Sequence, residues 1–145
     1  MLGTYKVVGT AATNTCGAAL GAPNPWNFSV QLSESGATLY WSWMDGTPAL
    51  STTLSATNAA HLTNDESGNV DPTDAGLGPC TMSRDDEVLI TLAAGSPPAT
   101  FVGTVSYTFT VPAGSVCADQ YSSAGGMFDT LPCTVSYTAT GTRQN

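Results

Sequence analysis

The residue types that most often carry catalysis are scarce in this chain. Its 145 residues include one histidine, His61, and one lysine, Lys6. A Ser–His–Asp triad would need His61, yet the sequence has no Gly-x-Ser-x-Gly turn that would expose a nucleophilic serine. Lys6 lies among threonine and valine in a strand-like pattern that predicts a solvated amine, whereas a reactive lysine must be desolvated. We therefore predict that the protein is not an enzyme.

Oxygen-bearing side chains are concentrated between residues 64 and 74, in a segment that also contains glycine and proline. Calcium binds six to eight such oxygens, so an irregular calcium site is one interpretation. The spacing does not match the regular calcium-binding loop, and a solvated acidic loop is the favoured alternative. The candidate ligands are Asp65, Asn69, Asp71 and Asp74. No other cofactor is indicated.

A second charged run, Arg84-Asp85-Asp86-Glu87, places three carboxylates side by side. Adjacent carboxylates are typical of a solvated hairpin tip or of a protected sheet edge. We predict that this run is exposed.

Four cysteines are present, and no two of them form a Cys-x-x-Cys pair. With one histidine in the chain, a zinc site lacks a full set of ligands. We predict two disulfides and therefore an oxidising compartment: secreted, periplasmic or on a cell surface. The N-terminus shows no signal-peptide pattern, so a native signal or anchor is expected to be absent from this chain.

Composition excludes several classes of protein. Three cationic residues against 11 acidic ones give a net charge of −8, which leaves no basic surface for nucleic acid. No apolar run approaches the roughly 18 residues that a membrane-spanning helix needs. Length and the absence of a linker indicate one domain over residues 1–145. Helix-favouring charged residues are rare, and threonine and serine are abundant.

Alternation of apolar and polar residues with a period of two dominates the sequence. It predicts strands over residues 4–11, 26–33, 38–43, 50–54, 88–92, 101–111 and 134–142, and a short strand at 61–62. Threonine on the polar faces suits a pleated, hydrated surface. Eight antiparallel strands with one buried face each predict an up-and-down barrel, with a two-sheet sandwich as the alternative.

In the up-and-down order, the first strand pairs with the eighth and all four cysteines meet at one rim. Neighbouring positions at that rim favour two disulfides, Cys16–Cys133 and Cys80–Cys117, among the three possible pairings. Each would stabilise the fold by about 3–5 kcal/mol.

Nine of the aromatic residues lie on the apolar phase of their strands and are predicted to point inward. A barrel of eight strands is just wide enough to be filled by side chains or to hold one small ligand, and this many rings favours the filled case. If a ligand binds, the expected contact residues are Trp26, Trp41, Trp43, Tyr107 and Tyr137. Tyr40 lies off this phase and is predicted to be exposed.

Gly3-Thr4-Tyr5 at the start of the first strand and Arg143 at the end of the last resemble the lipocalin and avidin superfamily. In that family a Gly-x-Trp opens the barrel and a cation from the last strand covers the ring; here Tyr5 replaces the tryptophan. The chain also resembles small eight-stranded domains of bacterial lipoproteins. The resemblance implies a small apolar ligand inside the barrel and an Arg143–Tyr5 cation–π contact.

Two functions follow as hypotheses. The first is a non-enzymatic, secreted or cell-surface domain that holds a small apolar molecule at the barrel mouth. The second is a structural or interaction module, such as an adhesin, a filament subunit or a carbohydrate-binding domain. The second would bind a partner or a surface glycan through its threonine-rich faces and loops. The sequence does not indicate an oligomeric state.

Overall fold

The computed structural model describes residues 1–70 and 80–145. The strands are β1 (Gly3–Asn14), β2 (Trp26–Ser35), β3 (Thr38–Ser42), β4 (Leu50–Thr53), β5 (Ala59–Asn69), β6 (Thr81–Leu92), β7 (Thr100–Thr110) and β8 (Cys133–Arg143). Short 3₁₀ turns at Ala18–Leu20, Ala118–Gln120 and Ser122–Ala124 lie in the loops. Over the described ranges, no helix is long and apolar enough to cross a membrane.

The eight strands form one antiparallel sheet in the order β4-β3-β2-β1-β8-β7-β6-β5. The first strand pairs with the last over a long register, from Tyr5 opposite Arg143 to Asn14 opposite Val135. β4 and β5 lie next to each other at the two ends of that order, so the sheet curls into a nearly closed barrel. The predicted up-and-down barrel is therefore confirmed, and the sandwich alternative is wrong.

One end of the barrel is packed shut. Inward-facing side chains of every strand form its core, because the period of two places alternate residues inside. Tyr5 is fully buried there, and its hydroxyl donates a 2.6 Å hydrogen bond to the carbonyl of Pro98. The Tyr5 ring packs on Phe101, with 5.5 Å between the ring centroids. We call this end the closed end and the opposite end the mouth.

The resemblance predicted Arg143 stacked on Tyr5, and the structure places these residues opposite each other in the register. Within residues 1–70 and 80–145, however, the cation–π contact is formed by Arg84 on Tyr107. The physical reason is local, since the buried Tyr5 ring packs on Phe101 inside the core while the Arg143 stem lies along Gly3.

Both predicted disulfides are confirmed, Cys16–Cys133 and Cys80–Cys117. They lie at the mouth in a second, smaller core. That core is formed by Cys16, Cys80, Met82, Cys117, Phe128, Cys133, Val135 and Tyr137. The two crosslinks fix the long loops of the mouth to the wall of the barrel and indicate an oxidising compartment.

Two strands extend well beyond their predicted limits. β5 continues through the acidic segment to Asn69, and β6 begins at Thr81, so Arg84-Asp85-Asp86-Glu87 lies inside a strand. The predictions of an acidic loop from residue 64 and of an exposed hairpin tip at 84–87 are therefore wrong for the described residues. The alternation of apolar and polar residues is not visible in these parts of the sequence, because near the mouth both strands carry polar side chains on their inward faces as well.

Candidate functional site

The mouth is open because the wall of the barrel is uneven. β3 and β4 have 5 and 4 residues, whereas their counterparts β5 and β6 have 11 and 12. The segment from Trp43 to Ala49, which joins β3 to β4, therefore lies across the mouth from the C-terminal half of β5 and the N-terminal half of β6. Between them lies a cavity of about 430 Å³, which we call the mouth cavity. This volume is within the usual range for small-molecule sites.

Aromatic rings form one wall of the mouth cavity. Trp26, the first residue of β2, is half-buried and contacts Trp43 and Tyr107, with ring centroids 6.2 and 5.9 Å apart. Trp26 also stacks on Phe28 at 4.2 Å and meets Tyr137 at 5.0 Å. Ring clusters of this kind bury large areas while keeping few rotatable bonds. The wall is therefore apolar and stiff.

An ion pair next to Tyr107 forms another part of the lining. Arg84 and Asp86 are two residues apart on β6, so both side chains point into the barrel. Both carboxylate oxygens of Asp86 accept hydrogen bonds from the Arg84 guanidinium, at 2.7 and 2.8 Å. Asp86 is only 5% exposed. The guanidinium also lies 5.4 Å from the centre of the Tyr107 ring.

The register explains this arrangement. Asp86 lies between Asn64 of β5 and Tyr107 of β7, and Arg84 lies opposite Glu66 of β5. The Arg84 guanidinium reaches the Glu66 carboxylate at 3.4 Å, and Glu66 also accepts a 3.0 Å hydrogen bond from Asn64. Three neighbouring strands thus deliver one polar network to the interior.

Three described groups of the mouth cavity have shifted pKa values, and the first is Arg84, whose pKa is raised by its hydrogen bonds to Asp86. Burial, followed by the nearby Asp86 charge, raises the pKa of the Tyr107 hydroxyl far above its ordinary range, so this hydroxyl stays neutral. Hydrogen bonds from the Thr47 hydroxyl and amide, at 2.7 and 3.0 Å, lower the pKa of Asp45. Asp45 is therefore ionised at neutral pH.

A second cavity, about 270 Å³ and mainly apolar, lies beside the first. Trp26 and Tyr107 line both cavities, so the two adjoin at these rings. The second cavity is completed by Leu20, Gly21, Ala22, Pro23, Phe109, Val135 and Tyr137. The mouth as a whole is amphipathic, with a charged compartment and an apolar one.

The structure brings four of the five expected ligand contacts to the mouth. Trp26, Trp43 and Tyr107 line the mouth cavity, and Tyr137 lines the second cavity. Trp41 instead lies in the core of the closed end, fully buried, with its ring 5.6 Å from that of Phe101. Tyr40 is exposed, as its phase predicted.

Of the expected calcium ligands, Asp65 and Asn69 do not come together. Asp65 and Asn69 are four residues apart on the extended strand β5, about 13 Å along its axis, which is too far for both to bind one ion. Asp71 and Asp74 lie outside the described residues. Across residues 1–70 and 80–145, no group of three or more histidine, cysteine or acidic side chains is suited to holding a metal ion.

His61 lies on the outer face of the barrel. Its Nε2 is 2.8 Å from the carboxylate of Glu87 on the neighbouring strand, and both side chains are about half exposed. Neither residue of this cross-strand pair lines the mouth cavity.

Sequence reasoning missed the charged residues of the mouth, namely Arg84, Asp86, Glu66 and Asp45. A usable signal was present for the first two. Val88, Ile90 and Leu92 define the inward phase of β6, and Arg84 and Asp86 continue it towards the N-terminus. Extending the period of two through the charged run would have placed both inside.

The nearly closed, eight-stranded antiparallel barrel is compatible with a lipocalin-like fold. Comparison of this chain with protein-family models, curated proteins and solved structures found no match.

Proposed function

We propose that this chain is a non-enzymatic, lipocalin-like binding domain that holds a small, ring-bearing apolar molecule at the mouth of its barrel. The observation that carries the proposal is the position of Trp26. Its partly exposed ring lines two adjoining cavities, where a barrel filled by its own side chains would have closed packing.

Energetics favour an occupant at this position. Removing apolar surface from water stabilises a complex by about 25 cal/mol per Å². A ligand ring placed against Trp26 and Tyr107 would also gain ring–ring contacts of about 0.5–1.5 kcal/mol. The disulfides hold the loops of the mouth in place before binding, so little ordering entropy is lost.

The proposed location is outside the reducing cytosol, as a secreted, periplasmic or cell-surface domain. The two disulfides support an oxidising compartment. A surface-anchored form would agree with the resemblance to domains of bacterial lipoproteins.

The proposal is tested with N-phenyl-1-naphthylamine, a neutral fluorophore whose emission rises in apolar surroundings. We expect a saturable increase at about one molecule per chain. Two cavity-filling variants, Ala49→Trp for the mouth cavity and Ala22→Trp for the second cavity, should weaken binding of the probe. Each site is on a loop, so circular dichroism should show an intact barrel.

Ala56→Trp is the matched control, because Ala56 is exposed in the turn between β4 and β5 at the closed end. It should bind the fluorophore as the wild type does. The proposal is wrong if the wild type gives no saturable signal, or if both filled variants bind the fluorophore unchanged.

A second candidate function is supported by the outer face. Val8 and Val102 both lie opposite Thr140, so they flank it across β1, β8 and β7, and Val102 is 58% exposed. Exposed apolar residues in a threonine-rich sheet face suit contact with a macromolecular partner or a second copy. Light scattering tests whether a second copy of the chain binds this face. Val102→Lys should lower the apparent mass only if the face mediates self-association.

A further inference from the structure

The mouth cavity has an unbalanced charge. Its lining includes the carboxylates of Asp45, Glu66 and Asp86 but only one cationic side chain, Arg84. The Asp86 carboxylate is fully engaged, since both of its oxygens accept hydrogen bonds from Arg84. Asp45 and Glu66 therefore leave a net negative charge of about two around the cavity at neutral pH.

The rings of the same cavity present faces suited to a cation. The faces of tryptophan and tyrosine carry negative electrostatic potential and attract ammonium and guanidinium groups. The protein already uses this property, because its own Arg84 guanidinium lies over Tyr107 while it contacts Asp86 and Glu66. Trp26 and Trp43 offer two further rings to the cavity.

From this combination we infer that the mouth cavity binds a small organic cation, an amine with an aromatic or apolar body. The ammonium group would lie between the carboxylates of Asp45 and Glu66, and the apolar body would lie against Trp26. This inference rests on the proposed function and adds the charge of the ligand to it. An anionic ligand would face a lining with a net negative charge, and the one cationic side chain among the described lining residues, Arg84, is already paired with Asp86 and Glu66.

The test compares three probes of similar size by calorimetry at pH 7: phenethylamine (cationic), 2-phenylethanol (neutral) and 3-phenylpropionate (anionic). We expect the amine to bind about tenfold more tightly than the alcohol, and the anion to bind most weakly. Raising the salt concentration from about 20 to 300 mM should weaken binding of the amine and leave binding of the alcohol unchanged.

Substitutions locate the charge. Glu66→Gln and Asp45→Asn should each weaken binding of phenethylamine about fivefold without affecting 2-phenylethanol. Asp65→Asn is the matched control, because Asp65 neighbours Glu66 but lies on the opposite, outer face of β5. It removes the same charge and should leave both affinities unchanged.

The outcomes separate the two proposals. If the alcohol binds as tightly as the amine, or if Asp65→Asn acts like Glu66→Gln, the inference about charge is wrong while the proposed function stands. Failure of all three probes, with N-phenyl-1-naphthylamine still bound, also overturns the charge inference. Failure of all four compounds overturns the proposed function, and the charge inference falls with it.

Discussion

Arg84 and Asp86 show how a buried charge is held inside a small barrel. Moving either charge from water into the interior is costly unless its partner stays in place. Asp86 is nearly enclosed, yet each of its oxygens accepts a hydrogen bond from one guanidinium. Arg84 in turn remains partly exposed, with 39% of its side chain accessible. Each charge of the pair therefore depends on its partner to remain in the interior.

Substitution of Asp86 tests this interpretation. Asp86→Asn keeps the size of the side chain but removes the charged partner that accepts two hydrogen bonds from Arg84. We expect the free energy of unfolding to fall by about 1–3 kcal/mol, less than for a fully buried pair because Arg84 is partly hydrated. Urea unfolding followed by tryptophan fluorescence measures the change.

Asp85→Asn provides the matched control, since Asp85 is the adjacent residue on the exposed face of β6. Its effect should stay within about 0.5 kcal/mol. Equal losses in the two variants would show that the Arg84–Asp86 pair does not support the fold.

At the scale of the elements, close packing between β7 and β8 depends on a missing side chain. Gly141 of β8 faces the interior directly opposite Phe101 of β7. A Cβ at residue 141 would collide with the Phe101 ring, which itself packs on Tyr5 and Trp41. Glycine at this position allows the aromatic core of the closed end to form.

Gly141→Ala should therefore destabilise the barrel by about 1–3 kcal/mol through overpacking of the aromatic core. Thermal unfolding by circular dichroism measures the effect. Gly68→Ala in β5 is the comparison, because the space around a Cβ at residue 68 is open. That variant should be neutral or slightly stabilising, by up to about 0.5–1 kcal/mol. A Gly141→Ala variant as stable as Gly68→Ala would contradict this account of the core.

At the scale of the whole molecule, the two crosslinks close loops of different length. The sequence separations are 117 residues for Cys16–Cys133 and 37 for Cys80–Cys117. The chain-entropy relation gives about 5 and about 4 kcal/mol for these loops. The longer one ties the mouth ends of the first and last strands together.

Paired serine substitutions test this order. Cys16→Ser/Cys133→Ser should lower stability by about 1 kcal/mol more than Cys80→Ser/Cys117→Ser. Chemical unfolding of both variants under non-reducing conditions gives the difference. A larger loss from the shorter loop would show that local packing, and not chain entropy, dominates.

Stability should also fall at alkaline pH. Burial raises the pKa values of Tyr5, Tyr107 and Tyr137, so the folded protein holds these phenolic protons more tightly than the unfolded chain does. The unfolded chain releases them near pH 10, and stability is then lost as the pH rises through the higher folded values. Each such group contributes up to about 1.4 kcal/mol per pH unit in that window.

Urea unfolding at several pH values between about 8 and 11 measures this decline. Tyr107→Phe should show a shallower decline than the wild type, since Tyr107 has the largest shift of the three. Parallel profiles for the two proteins would mean that Tyr107 does not carry the effect.

The sequence by itself determined much of this molecule. Alternation of apolar and polar residues is a local property of each strand, so most strands, their inward rings and the exposed Tyr40 could be predicted directly. Counting strand directions then brought the four cysteines to one rim, which led to both disulfides.

Only the tertiary structure decided the character of the mouth. A charged run such as Arg84-Asp85-Asp86-Glu87 has the composition of a solvated surface, and composition cannot show which alternate residues turn inward. The register of the sheet places Glu66 of β5 beside Arg84 of β6, and Asp86 of β6 beside Tyr107 of β7. Each of these pairs joins two different strands, so neither can be read from local sequence. The short hairpin of β3 and β4 then leaves that polar interior open. Contacts between strands depend on pairing and closure, which are properties of the whole sheet.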